Sequence, residues 1–154
     1  LLDADGSVVR ANRALAERHV DPLMERVREK LREPAELRPR VRATVGTYLQ
    51  MISENLNLYR FLMHRATAED PRTRGDVSLI VRRFGKEFAD TLVAEQYISD
   101  PVRAVIVAHA VIGMVQATGE WWLDHPEIPY EDVIESLTDA VVGAVTSECA
   151  APAS

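Results

Sequence analysis

The segment that most restricts the fold is an apolar run from Val102 to Val115, interrupted by one arginine and one histidine. Asp100 and Pro101 precede it, and a carboxylate N-cap followed by a proline is typical of a helix start. We expect this helix to end near residue 124. The run is shorter than the roughly 20 apolar residues that a bilayer span needs. Because a helix that is apolar nearly all round must be covered on several sides, we expect it to be the buried central helix of the domain or of a dimer.

Apolar residues recur every three or four positions through most of the remaining chain, and no segment alternates with period two for long. The spacing predicts six helices: residues 11–32 with a restart at Pro22, the Pro34–Pro39 segment to Ile52, residues 58–66, Asp76 to a point before Ser99, residues 101–124 and residues 130–148. A loop is predicted over residues 69–75, from its composition. We therefore predict an all-α fold, an orthogonal bundle of about six helices. Residues 1–12 fit none of them.

Length and composition indicate one ordinary globular domain over residues 1–154. The chain is 47% hydrophobic and 27% charged, which is the usual balance of such a domain. Its single cysteine, Cys149, excludes a disulfide scaffold and a cysteine-cluster metal site. No signal segment opens the chain, so we expect a cytoplasmic protein.

Charge is distributed unevenly along the chain. Residues 10–42 contain 10 basic and 6 acidic side chains, a balance of +4, whereas 12 acidic side chains and one basic side chain follow from Glu87 onward, a balance of −11. The acidic half would repel a phosphate backbone, so this chain alone is a poor binder of nucleic acid. In the basic half, arginines alternate with glutamates, which predicts solvated helices with ion pairs one turn apart. We expect the carboxylates Glu127, Glu131, Asp132 and Glu135 to face solvent.

Recognisable catalytic motifs are absent from the sequence. It has no glycine-rich phosphate loop, no His-Glu-x-x-His pair, no Cys-x-x-Cys and no Gly-x-Ser-x-Gly elbow. The four histidines are too far apart in sequence to form a local metal site. We predict that the protein is not an enzyme and needs neither a metal nor a cofactor.

Aromatic residues and methionines are concentrated on helices that are otherwise aliphatic. They are Tyr48, Met51, Tyr59, Phe61, Met63, Phe84, Phe88, Met114, Trp121 and Trp122. At helical spacing such side chains usually fill a core. They also line small-molecule pockets, in which a few polar groups anchor the ligand. Candidate anchors are Tyr48, Tyr59, His64, His109, Gln116 and Thr118. The sequence leaves both interpretations open.

Two segments carry a family resemblance: residues 55–63, NLNLYRFLM, and residues 113–123, GMVQATGEWWL. Together with the order of the helices, they resemble the C-terminal domain of TetR-family transcriptional regulators, over roughly Val20 to Val145. The resemblance implies a ligand-responsive regulator, of the repressor type, in which this chain binds a small, mostly apolar effector and forms a homodimer. Residues 101–124 and 130–148 would pair with the same helices of a second subunit as a four-helix bundle. A DNA-binding helix-turn-helix would precede Leu1 and contact operator DNA.

The resemblance also implies particular site residues. Ligand-binding residues would be Tyr48, Met51, Ile52, Tyr59, Met63, Phe84, Phe88, Met114 and Trp121. Dimer-interface residues would be Val105, His109, Ile112, Leu137, Val141, Ala144 and Val145. Separately, the small residues Ala140, Gly143 and Ala144 would permit close approach of another helix. The alternative is a stand-alone helical protein that binds a small molecule or acts as an adaptor, without DNA binding.

Overall fold

The structure, a computed structural model, describes the backbone of residues 22–57 and 71–147, and the side chains of residues 22–57 and 81–147. This part of the chain contains five helices and no strand. They are α1 (residues 22–32), α2 (Leu37–Glu54), α3 (Pro71–Ala94), α4 (Pro101–Leu123) and α5 (Tyr130–Thr146). The all-α prediction is confirmed. The helix predicted over residues 58–66 and the segment before Pro22 lie outside the described residues.

Three helix boundaries follow the local signals in the sequence. α2 begins within the Pro34–Pro39 segment. Asn55 ends α2, because both its backbone N–H and its side-chain amide donate to the carbonyl of Met51, at 3.0 and 2.9 Å. At the start of α4, a carboxylate oxygen of Asp100 accepts from the backbone N–H of Val102 at 3.0 Å.

The prediction for the start of α3 was wrong. Residues 69–75 were expected to form a loop, with Asp76 as the cap, but the helix already begins at Pro71. Proline suits the first helical turn, because that turn has no partner for its N–H. Gly75 then lies inside the helix, where a glycine costs only about 1 kcal/mol. The polar composition of residues 69–75 therefore predicted a longer interruption between helices than the structure contains.

The core lies where α2, α3, α4 and α5 meet. Leu49, Leu92, Ala108 and Val145 are all at most 1% exposed. α3 packs mainly along α4, and α2 packs mainly along α5. These two pairs of helices enclose the apolar face of each element, which is the arrangement expected for helix-on-helix packing.

α2 and α5 approach closely at Gly46. The Tyr130 hydroxyl donates to the carbonyl of Gly46 at 3.3 Å, and a Cβ at Gly46 would lie 2.8 Å from Cδ1 of Ile134. Burial raises the pKa of Tyr130, and the nearby Glu131 adds to this effect. The close approach fixes the crossing point of the two helices.

Arginines of α2 pair with carboxylates of α5 beside this crossing. Arg38 contacts Glu135 at 2.8 Å and Asp139 at 2.5 Å, and Arg42 contacts Glu131 at 2.6 Å and Glu135 at 2.5 Å. Glu131 and Glu135 are exposed, as expected, and they also pair with these arginines. The four α2–α5 contacts connect the basic half of the chain to its acidic half.

α4 is less covered than its sequence predicts. Of the helices that the structure describes, Pro101–Leu123 is the one that is long and apolar enough to cross a membrane by length and composition. Only 22% of its most apolar 18-residue window is buried. Val102 and Ile106 are 67% and 64% exposed. Within the described single chain, α4 is therefore not covered on all sides, and the alternative, that it is the central helix of a dimer, stays a prediction.

Candidate functional site

The residues of α2 and α3 that were predicted to bind a ligand lie in or against the core. Ile52 and Phe88 are 1% and 7% exposed and belong to the buried cluster, while Tyr48, Met51 and Phe84 are half-buried at its edge. The Phe84 and Phe88 rings stack with centroids 6.5 Å apart. The structure therefore brings these five side chains to one apolar region. Tyr59 and Met63 lie outside the described residues.

The contacts of α4 show which of its sides faces which neighbour. A Cβ at Gly85 of α3 would lie 2.9 Å from Cε1 of His109, so the His109 ring lies against α3. The ring is oriented by its Nδ1, which lies 2.8 Å from the carbonyl oxygen of Val105. On another side of α4, a Cβ at Gly119 would lie 2.9 Å from Cδ1 of Ile52 on α2. The His109 side of α4 therefore faces α3, and the Gly119 side faces α2, the two helices that carry predicted ligand-binding residues.

Met114 and Trp121 lie on a different side of α4. Arg103 reaches Ser147, just after α5, at 3.5 Å. Trp121 follows Arg103 by about five helical turns and so projects in nearly the same direction. Trp121 is 48% exposed and stacks on His125 with ring centroids 4.5 Å apart, whereas Met114 packs partly buried against the core. Met114 therefore lies at the edge of the same core as Phe84, whereas Trp121 is not part of it.

Four predicted dimer-interface residues are buried within the single chain. Ile112, Leu137, Val141 and Val145 are 8%, 4%, 2% and 0% exposed. A side chain that is already buried has almost no surface left to bury against a partner, so these four residues serve the core of the single chain, and their place in a dimer interface stays a prediction. Of the other three, Val105 and His109 are exposed and Ala144 is half-buried. The most regular apolar stripe of α5 fills the core of the domain.

A different face of α4 and α5 is open. On α4 it carries Val102, Ile106 and Gly113, and on α5 it carries Ala140 and Gly143, all exposed. A Cβ at Gly113 or at Gly143 would meet nothing within 4 Å. The arginines of α2 lie along the other exposed edge of α5, so they leave this face uncovered. We call these five residues the open face.

A surface crevice of about 460 Å³ lies between α1 and α3. It is lined by Arg28, Arg83, Lys86, Glu87 and Asp90. Because all five lining side chains are charged, this crevice differs from the apolar pocket that the sequence predicts. Glu87 lies 3.6 Å from Nε of Arg28 and 3.3 Å from Nη2 of Arg32, so ion pairs fasten α1 to α3 along this crevice.

Arg40 forms the most buried ion pair in the described structure, a contact that the sequence analysis did not identify. Its guanidinium donates to both carboxylate oxygens of Glu95, at 2.7 and 2.6 Å. This hydrogen bonding lowers the pKa of Glu95 and raises that of Arg40. No local signal in the sequence links two residues that lie 55 positions apart.

No group of three or more His, Cys, Asp and Glu side chains is placed to hold a metal ion within the described residues. The helix crossings described above depend on glycines and apolar contacts, and most of the ion pairs lie at helix surfaces, with Arg40–Glu95 as the buried exception. This arrangement leaves exposed apolar side chains on α4.

Comparison with known protein families identifies the family of this chain. The profile of the tetracyclin repressor-like C-terminal domain matches residues 26–152, which include all of α2 to α5. None of the curated proteins matches the chain. The matched region extends slightly beyond the Val20 to Val145 limit of the predicted resemblance at its C-terminal end. The chain therefore belongs to the family of tetracyclin repressor-like C-terminal domains.

Proposed function

We propose that this chain is the effector-sensing and dimerisation domain of a ligand-responsive transcriptional repressor that acts in the cytoplasm. The observation that carries the proposal is the open face, an apolar surface shared by the last two helices. A second copy of this chain is the occupant that we assign to it, because two-fold association brings the same surface of both copies together, and this surface has room for a helix backbone at Gly113 and Gly143. Each subunit of the dimer would then carry one N-terminal DNA-binding domain, and the two domains would bind the two half-sites of a two-fold operator.

The composition of the open face supports close helix packing. Gly113 and Gly143 leave room for a partner backbone, and Ile106 supplies an exposed apolar side chain beside them. Burying such a surface is favourable by about 25 cal/mol per Å² of apolar area. Dimerisation would also cover the apolar window of α4 that the single chain leaves exposed.

The effector would enter the region bounded by Tyr48, Met51 and Ile52 of α2 and by Phe84 and Phe88 of α3. This region is apolar, and the exposed His109 lies at its border with α4, where a polar anchor is useful. The effector would change operator affinity only by the difference in its affinity for the two arrangements of the dimer. A coupling of about 1–3 kcal/mol is the usual scale.

Sedimentation of the Ala140→Glu variant tests the dimer. Ala140 is exposed in the single chain, so glutamate leaves the fold intact but places buried charges in the dimer. We expect wild-type mass at twice 17.2 kDa and Ala140→Glu at the monomer mass. The control is Ser53→Glu, which adds the same charge at an exposed site of α2 and keeps the dimer. A wild-type chain that is monomeric at every concentration contradicts the proposal and favours a stand-alone binding protein.

Thermal-shift measurements with a panel of apolar small molecules test the effector region. Phe88 is buried, so Phe88→Ala lowers the ligand-free midpoint strongly, as large-to-small core changes of about 3–5 kcal/mol do. Phe84 is half-buried, so Phe84→Ala costs less stability but removes the ligand-induced shift. If Phe84→Ala keeps the full shift of a compound that stabilises the wild-type chain, the region is misassigned.

A further inference from the structure

Arg40 is the one charged side chain that the described residues bury, with 7% of its surface exposed. It lies in the first turn of α2. A buried guanidinium is costly unless an opposite charge and hydrogen-bond acceptors surround it. The groups that surround Arg40 are therefore the groups that keep it buried.

Those groups come from three different parts of the fold. Glu95, immediately after α3, accepts from both terminal nitrogens of the guanidinium. The carbonyl of Ala35, in the α1–α2 connection, accepts from Nη2 at 2.8 Å, and the carbonyl of Leu31, in the last turn of α1, lies 3.5 Å from Nη1. One side chain thus joins the end of α1, the start of α2 and the end of α3.

The contact of Arg40 with α1 supplies a hydrogen-bond donor to the C-terminal end of that helix. The last carbonyls of a helix have no partner within the helix, and Arg40 supplies a donor to one of them. The carbonyls of Leu31 and Ala35 alone cannot hold the guanidinium in place, because neither carries a compensating charge. If Glu95 were neutral, Arg40 would gain free energy by moving out to water, and both carbonyls would lose their donor.

Apart from Arg40, α1 is held by two buried side chains and by the partly exposed ion pairs of Arg28 and Arg32 with Glu87, and partly exposed pairs contribute little. The two buried side chains are Val27 and Leu31, whereas residues 32–36 are all exposed. α2 and α5 are joined both by core packing and by the arginine–carboxylate contacts beside Gly46. Loss of the Arg40–Glu95 contact should therefore loosen α1 before it loosens the other helices.

We infer that the Arg40–Glu95 pair is a latch that holds α1 against α2 and α3, and that opening it releases α1 while α2 to α5 stay packed. The inference does not depend on the proposed function. If that function holds, the latch lies between α3, which borders the effector region, and α1, the described helix nearest the expected DNA-binding domain.

Hydrogen exchange followed by mass spectrometry at pH 7 tests the latch. The chains compared are the wild type, Glu95→Gln, and Glu135→Gln as a control that removes one carboxylate from the α2–α5 contacts. In Glu95→Gln we expect amides of residues 23–33 to exchange at least tenfold faster, and those of residues 104–119 to exchange at the wild-type rate. Glu135→Gln should leave exchange in residues 23–33 unchanged.

Two outcomes overturn the inference. One is wild-type exchange of residues 23–33 in Glu95→Gln, which would mean that the pair does not hold α1. The other is an equal acceleration in all helices, which would mean that the pair contributes only to global stability. Should Glu95→Gln fail to fold, Glu95→Asp keeps the charge but shortens the reach. Faster exchange confined to α1 in that variant supports the latch, and any other pattern contradicts it.

Discussion

Gln96 adopts a backbone conformation that costs free energy. Its φ is 65°, the one positive value at a non-glycine position in the described backbone. The left-handed residue lets the N–H groups of Tyr97 and Ile98 reach the carbonyl of Leu92, at 2.9 and 3.2 Å, and so ends α3. Glycine is the usual residue at such a position, because it has no Cβ to clash.

We expect Gln96→Gly to stabilise the chain by roughly 0.5–1 kcal/mol, because relief of the left-handed strain exceeds the extra entropy of glycine in the unfolded chain. Urea denaturation measures the change. Gln96→Ala is the control, since it removes the side chain but keeps the strain, and it should match the wild type. A Gln96→Gly variant no more stable than Gln96→Ala would show that the conformation costs nothing here.

Gly119 is required by the approach of α2 to α4. A Cβ there would lie 2.9 Å from Cδ1 of Ile52 and 3.4 Å from Cδ2 of Leu49, both fully buried side chains. We expect Gly119→Ala to lower the free energy of unfolding by about 1–3 kcal/mol, the usual cost of overpacking, despite the better helix propensity of alanine. Gly113→Ala makes the same change in the same helix at a site that is open within the single chain. Both variants are compared at a concentration at which the chain is monomeric, because Gly113 belongs to the open face. Equal denaturation midpoints for the two variants would contradict this packing.

At the scale of elements, the Arg40–Glu95 contact makes the attachment of α1 dependent on pH. Arg40 lowers the pKa of Glu95 below its ordinary 4.5. A carboxyl group with a lowered folded-state pKa contributes stability that is complete above the unfolded-state value and is lost as pH falls through the folded-state value. We therefore expect the stability difference between the wild type and Glu95→Gln to be constant from pH 7 down to about 5 and to shrink at lower pH.

Urea titrations of both chains between pH 7 and pH 3 measure this difference. Glu135→Gln serves again as a comparison, because its carboxylate lies on the exposed surface between α2 and α5. A difference for Glu95→Gln that grows on acidification would contradict the assigned sign. It would mean that the carboxyl group is held in its neutral form in the folded chain.

The sequence determined the positions of the helices better than their faces. The N-cap at Asp100 and the Pro34–Pro39 segment are local signals, so the starts of α4 and α2 were predictable. The predicted ligand-binding residues of α4, Met114 and Trp121, and its predicted interface residues, Val105, His109 and Ile112, lie nearly half a turn apart around the helix. Which of these two sets meets α3 depends on contacts between helices, such as that of His109 with Gly85. Such contacts leave no local pattern in the sequence.

The sequence likewise does not show which face of α5 meets its own core and which is left exposed. The regular stripe of Leu137, Val141 and Val145 was the strongest apolar signal on this helix, and it fills the core. The surface left for a partner is made of smaller residues, Ala140 and Gly143, whose pattern the sequence did reveal as permitting close helix approach. A helix that packs on two sides presents its larger apolar stripe to its own core, so size distinguishes the two faces better than apolar character alone.

Across the whole molecule, the charge asymmetry of the sequence is resolved by contacts over long distances along the chain. Pairs one turn apart, such as Lys30 with Glu33, do occur. Arg38, Arg40 and Arg42, however, pair with carboxylates at least 55 positions away, on α5 and at the end of α3. The basic half and the acidic half of the sequence therefore lie against each other. Neither half presents a uniform surface charge, although the net charge is −6.

If a second copy covers the open face, the stability of the whole molecule depends on protein concentration. If unfolding is coupled to dissociation, the thermal midpoint rises with protein concentration. We expect this rise for the wild type across a hundredfold dilution series measured by calorimetry, and none for Ile106→Glu. Ile106 is 64% exposed, so the substitution removes no packing within the single chain, and the variant should match the wild type at the lowest concentration. A concentration-independent wild-type midpoint would leave α4 with an apolar surface that no second copy covers, and the assignment of the open face would fail.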